Sequence, residues 1–316
     1  MRRLLPFAAL FSLTLSLPHV AHADALPRGV MPVIRANGHS YVALRATVDE
    51  SWGRGGSRLL RRANPTVAVR NVRLSALPRE VREDIRGTLR VQNGGGDVCR
   101  ARMARPVLLR RADAAFASDE WDGLYGGPRL SDEEVARAFW DVSAVSSLLV
   151  ARLIPSHGRC RMGTWASRAT LAFGTTTTDI PDALAVAFRS VEQYGWLAEV
   201  WPEVRIEAGE TAEHWDERPD AGRMMTSLRV GAREFRLIGA AGESGCGDFT
   251  GGAWGLFELT DAGPVLLREG GRVDPPYGLA DLDGDGVPEV IGHQRALMST
   301  TGETVDVSAP FFGCPC

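Results

Sequence analysis

The densest chemistry in the chain is a short acidic stretch near its C-terminus, Asp281-Leu282-Asp283-Gly284-Asp285-Gly286-Val287-Pro288-Glu289, which runs on into Val290 and Ile291. Carboxylates stand at positions 1, 3, 5 and 9 of this stretch, with glycine at 4 and 6. Alternate side chains of a tightly wound loop converge on one point, and glycine permits the backbone conformation that such a loop needs. Four carboxylates brought that close repel one another strongly with nothing between them. Calcium suits the set, because it takes six to eight hard oxygen ligands in flexible geometry. Position 12, where an EF-hand carries a bidentate Glu, is Gly292, and Pro288 with Val290 and Ile291 starts a strand where a helix would follow. The loop is therefore not an EF-hand.

The order of acids and glycines followed by an apolar strand resembles the calcium loop of FG-GAP or VCBS repeats, the integrin-type β-propeller blades, over about 30 residues. By that resemblance Asp281, Asp283, Asp285 and Glu289 are side-chain ligands, and the carbonyl of Val287 supplies a further oxygen to a structural calcium ion. Glu289 stands where the repeats carry Asp, which lengthens that arm by one methylene. A second stretch, Gly247-Asp248-Phe249-Thr250-Gly251-Gly252, hints at the same loop, but its later ligand positions hold Gly252 and Leu256. In extracellular modules such loops bind calcium with dissociation constants of roughly 0.1 to 1 mM, so the ion is expected to lock the turn and staple the neighbouring strands.

Other chemistry is thinner. His39, His157, His214 and His293 are isolated, with no second ligand at zinc spacing. Gly242-Glu243-Ser244-Gly245-Cys246 misses the nucleophile elbow because its fifth residue is Cys246. Neither a phosphate-cradling loop nor a dinucleotide fingerprint is present. The alternative to a non-enzymatic role is a secreted, glycosidase-like hydrolase whose acids, Asp119, Glu120 and Asp122, lie in the loop over residues 116–129.

The N-terminus predicts export. Arg2 and Arg3 precede an apolar stretch over residues 4–20 that is interrupted by Pro6 and Pro18, and Ala21-His22-Ala23 has the small-x-small form that a signal peptidase cuts. Cleavage after Ala23 is expected to yield a secreted or periplasmic chain with no further apolar run of membrane length. The five cysteines all follow that cut. In an oxidising compartment they read as disulfides, with Cys99 pairing Cys160 and Cys246 pairing Cys314 or Cys316 as the preferred arrangement.

All 36 basic residues are arginine. Residues 24–111 carry 18 Arg against 7 acids, a net of +11, whereas residues 112–316 carry 16 Arg against 32 acids, a net of −16. Such asymmetry predicts two units of opposite sign, and the basic one could hold an anionic envelope component such as a polysaccharide, a lipid head group or phosphate. Nucleic acid is not expected, since few aromatics are interleaved with the arginines.

The positioning elements follow from periodicity. Residues 32–45 and 66–74 alternate as half-buried strands, joined by a loop around residues 52–62. A short helix over 78–86 stops at Gly87, and strands over 88–92 and 98–109 flank the turn 93–97. Ser131 and Glu134 form a capping box for a helix whose apolar positions, Val135, Phe139, Val142, Val145 and Leu149, recur until Pro155. A second helix starts near Asp179 and stops before Pro202. Both helices are expected to brace the first unit. Residues 206–222 read as an acidic linker, and seven short strands follow.

The expected architecture is a β-rich α+β chain. A signal peptide over 1–23 precedes a basic-to-mixed unit over 24–205, a small β-barrel or sandwich braced by two or three helices. The linker over 206–222 then leads to an acidic unit over 223–316, an antiparallel hairpin sheet or partial propeller carrying the calcium loop.

Overall fold

The computed structural model describes residue 26 and residues 29–45, 48–61, 66–112, 131–141, 147–209, 211–218, 220–244, 249–271, 276, 278–292, 295–299, 302–306 and 311–312. Residues 1–23, read from sequence as a signal peptide, the 116–129 loop with Asp119, Glu120 and Asp122, His293, and Cys246, Cys314 and Cys316 lie outside them.

The chain is β-rich, and its first part closes a six-stranded antiparallel barrel. β1 (Val30–Ala36) and β2 (His39–Arg45) form a hairpin. The sequence reading took residues 32–45 as one run; Asn37 and Gly38, with φ of 47° and 73°, make the primed turn that favours right-twisted hairpins. β3 (Gly53–Arg61) pairs with β4 (Thr66–Val72), so the expected loop over 52–62 is largely strand. The first of its two bulges, between Arg54 and Ser57, absorbs Gly55 and Gly56. α1 (Arg79–Asp84) follows, as expected, and buries Val81. β5 (Thr88–Asn93) turns into β6 (Gly96–Ala112), a 17-residue strand. One edge of β6 pairs first with β5 and then with β4.

The capping box of Ser131 and Glu134 is in place at the start of α2 (Asp132–Asp141). That helix is shorter than its apolar periodicity suggested. Leu149 lies instead in β7 (Leu148–Gly158), which pairs with β2 on one side and β6 on the other. A continuous apolar run is readable as helix or as buried strand, and here the open edge of β6 selects the strand. β8 (Trp165–Ser167) bridges β1 and β5, which completes the ring β6-β5-β8-β1-β2-β7. Val42, Leu89, Val91, Ala101, Ala151 and Leu153 cluster in its core with Cys99 and Cys160, which form the expected disulfide.

Beyond the barrel the chain builds two further five-stranded sheets. β9 (Ala172–Phe173) and β10 (Thr175–Thr177) are consecutive yet belong to different ones. α3 (Asp182–Arg189) and α4 (Glu192–Ala208) follow. β10 then leads a sheet with β11 (Met224–Val230), β12 (Arg233–Ser244), β13 (Phe249–Thr260) and β14 (Gly263–Gly271). The other sheet orders as β18 (Thr304–Asp306), β17 (Arg295–Leu297), β16 (Glu289–Ile291), β15 (Gly278–Asp281) and β9. A last short strand, β19 (Phe311–Phe312), returns to β6 in parallel.

These sheets stack in layers. One face of the β10–β14 sheet, through Met225, Ile238, Ala253 and Phe257, packs against Leu184, Phe188 and Trp201 of the helices. Its other face, through Leu237 and Leu256, meets Leu279, Val290 and Leu297 of the second sheet. The far side of that second sheet, through Ala280, Ile291 and Ala296, rests on Trp165 of the barrel. Thus α1 and α2 brace the first sheet, whereas α3 and α4 cover the β10–β14 sheet. The sequence reading had placed the helix over 179–201 on the barrel.

Two further corrections concern this helical layer. α4 runs through Pro202 to a left-handed cap at Gly209, with φ of 67°. The lost amide donor is outweighed by burial of Trp201, which is 3% exposed, in a chain position that packing dictates. The stretch over 206–222, read as a linker from its acids, holds Trp215 and Asp216 in the core, at 0% and 1% exposure. Asp216 is satisfied there by Tyr194, Arg189 and Arg223, partners that no local composition could announce.

Candidate calcium site

β15 and β16 are antiparallel neighbours, with Ala280 opposite Glu289 and Leu279 opposite Val290, so residues 282–288 form the tip of a hairpin. Gly284 and Gly286 adopt φ of 76° and 85°, the left-handed region that a side chain disfavours. The loop is wound by its own acids. The Gly284 amide donates to Asp281 Oδ1 at 2.8 Å, that of Asp285 to Asp283 Oδ1 at 3.1 Å, and that of Val287 to Asp285 Oδ1 at 2.7 Å.

The consequence is convergence. One carboxylate oxygen from each of Asp281, Asp283 and Asp285 lies within 4.8 Å of the other two, the only such group of metal-ligating side chains among the described residues. Burial pushes the Asp283 carboxyl above its ordinary range, and the charges of Asp285 and Asp281 push it further the same way. Three hard oxygens at this spacing fit calcium and leave room for water or carbonyl oxygens to complete the shell.

Glu289 stands outside that group of three. Its pairing opposite Ala280 turns it to the face that rests on the barrel, and the residue is 0% exposed. The Leu282 amide donates to its Oε2 at 2.6 Å, and the Ser299 hydroxyl and amide donate to its Oε1 at 2.9 and 3.4 Å. The Val287 carbonyl accepts from the same hydroxyl at 3.1 Å. Sequence reasoning missed Ser299, and it missed Arg233, whose Nη1 donates to the Gly286 carbonyl at 3.3 Å. Arg233 is aimed there by two bonds to Glu258, at 2.8 and 2.9 Å. It brings one positive charge toward a loop that carries three negative ones.

Burial raises the Glu289 carboxyl to about 7, against 4.5 in an open chain. Between those values the folded protein binds a proton that the unfolded chain has released. Glu289 therefore contributes stability that is complete below about pH 4.5 and is lost as pH rises to 7, with a slope approaching about 1.4 kcal/mol per pH unit. In calcium-free buffer, Glu289→Gln is expected to remove this slope. Urea unfolding at pH 5 and pH 7.5 checks it, and an unchanged difference would assign the pH dependence to other groups.

Among the described residues, His39, His157 and His214 join no cluster of metal-ligating side chains. No helix of the described residues is long and apolar enough to cross a membrane. Compared with protein-family models, curated proteins and solved structures, the chain matches none.

Proposed function

We propose that this is a secreted or periplasmic, non-enzymatic binding protein of the cell envelope or extracellular space, in which one structural calcium ion staples the β15–β16 hairpin. The observation that carries the reading is the convergence of Asp281, Asp283 and Asp285 at a hairpin tip with glycine at both left-handed positions. Their mutual repulsion, only partly met by Arg233, gives a divalent cation a reason to bind. The FG-GAP or VCBS resemblance of the loop supports the same ion. Export is supported by the Cys99–Cys160 bond, since disulfides persist in oxidising compartments.

Calcium would act here on the hairpin and not on a substrate. It would hold together three carboxylates whose loop joins two strands in the middle sheet of the stack. Asp281, Asp283 and Asp285 would bind it directly, and Glu289 and Ser299 would fix the strand ends.

Thermal unfolding tests this. At about a hundredfold excess over its dissociation constant, calcium is expected to add about 2.7 kcal/mol of stability, a rise of several degrees in Tm. Asp283→Asn, which keeps the acceptor for the Asp285 amide, is expected to raise the Tm of the calcium-free protein slightly and to abolish the response. No shift on adding calcium to chelator-stripped protein would overturn the reading.

A further inference from the structure

Strands β1 to β8 together carry 13 arginines and one acid, Asp97. Part of that charge is structural. Arg70 and Arg110 lie over the ring of Trp140, and Arg110 pairs with Glu50. Four others, Arg90, Arg100, Arg102 and Arg152, lie outside the ring on three adjacent strands. Arg90 of β5 sits opposite Arg100 of β6, which sits opposite His157 of β7. Arg102 sits opposite Ile154, and Arg152 lies two residues further along β7. Arg152 faces Tyr41 of β2, whose phenol also feels Arg58 of β3.

Cross-strand partners share a face, so these guanidinium groups project together, on the side opposite the core of Ala101, Ala151 and Leu153. Arg90 is neutralised by Asp97. Arg58, Arg100, Arg102 and Arg152 are exposed and have no carboxylate within 4.0 Å among the described residues. Like charges directly opposite one another cost a sheet stability. A face that keeps them repays that cost when it meets an anion.

We propose that this face of the barrel binds an acidic polysaccharide, a flexible chain bearing carboxylate or sulfate groups. Guanidinium forks match both groups in bidentate geometry. They repeat at roughly 6.8 Å along β6 and roughly 4.8 Å between strands, so several engage one polymer at once. Single-stranded nucleic acid would call for exposed aromatic rings to stack its bases. Among the described residues this face exposes none, and the large apolar side chain it does expose is Ile154. The inference rests on the binding role proposed above and is independent of the calcium loop.

Calorimetric titration of the full chain with polygalacturonate and with heparin, in calcium-free buffer, tests it. Binding that weakens as salt rises is expected, with none to neutral dextran. The exposed triple variant Arg100→Gln, Arg102→Gln, Arg152→Gln is expected to weaken binding by about tenfold or more and to flatten the salt dependence. Arg229→Gln, on β11, is expected to change neither. Unaltered affinity in the triple variant, no binding by the unmodified protein, or tighter binding to phosphatidylglycerol vesicles or oligothymidine at equal salt would each overturn the proposal. Thermal shift with calcium remains a separate readout, so failure of the loop and failure of the face are distinguishable.

Discussion

Replacing Cys99 and Cys160 together by alanine is expected to lower the stability of the chain by about 4 kcal/mol, the loop-closure entropy released when a cross-link spanning some 60 residues is lost. The bond lies at the seam of the barrel. Cys99 near the start of β6 pairs through its backbone with Gly158 at the end of β7, and Cys160 follows in the turn that leads to β8. The ring is closed by the β6–β7 pairing, so the disulfide holds the unfolded chain to the register that closes it. Both cysteines are almost fully buried, and Ser40 donates to the Cys160 carbonyl at 3.2 Å. Alanine is the better substitution, because a buried serine would add a desolvation cost of its own. Denaturant unfolding of the double variant gives the number. A loss below about 1 kcal/mol would mean that packing alone holds the seam.

Asp216→Ala is expected to cost about 3 kcal/mol, because the substitution takes a buried carboxylate from the Tyr194 hydroxyl and the Arg223 guanidinium and leaves Arg189 paired with Glu217 alone. Tyr194 donates to its Oδ1 at 2.8 Å, Arg189 Nε to the same oxygen at 3.3 Å, and Arg223 Nη1 to its Oδ2 at 2.9 Å. The tyrosine ring stacks on Trp215 at 5.0 Å and meets Phe188 edge-on at 5.3 Å, so the polar centre and the apolar layer beneath α3 and α4 share side chains. Burial pushes the Asp216 carboxyl up, but the bonds from Tyr194, Arg223 and Arg189 outweigh it and hold the group below its ordinary value. The stability it contributes is present above the unfolded value of 3.8 and is lost as pH falls through the lower folded value. Unfolding of wild type and variant should therefore differ at pH 7 and converge in strong acid. A constant difference down to pH 2 would show that packing, not charge, is what Asp216 supplies.

The elements that were legible in sequence had local causes. The capping box at Ser131, the stop at Gly87 and the turn before β6 are short-range hydrogen-bonding or conformational devices, and each stands where its residues place it. The acidic loop was legible for the same reason, since its carboxylates bond to amides two and three residues on. Ser299 and Arg233 were not legible, because they reach the loop from other strands and carry no local signature.

By itself the sequence determined a β-rich chain, a hairpin tip that gathers carboxylates, and an excess of arginine in its first half. Those follow from residue type and spacing within a few positions. Tertiary structure alone decided the rest. Whether residues 148–158 continued a helix or closed a barrel depended on the free edge of β6, more than 30 residues away. Whether residues 206–222 were linker or core depended on Tyr194, Arg189 and Arg223 meeting at Asp216. The arginines became one face only when pairing laid β5, β6 and β7 side by side. Local preference sets which conformations a segment can adopt at low cost. Contacts between segments distant in the chain decide which of them is kept.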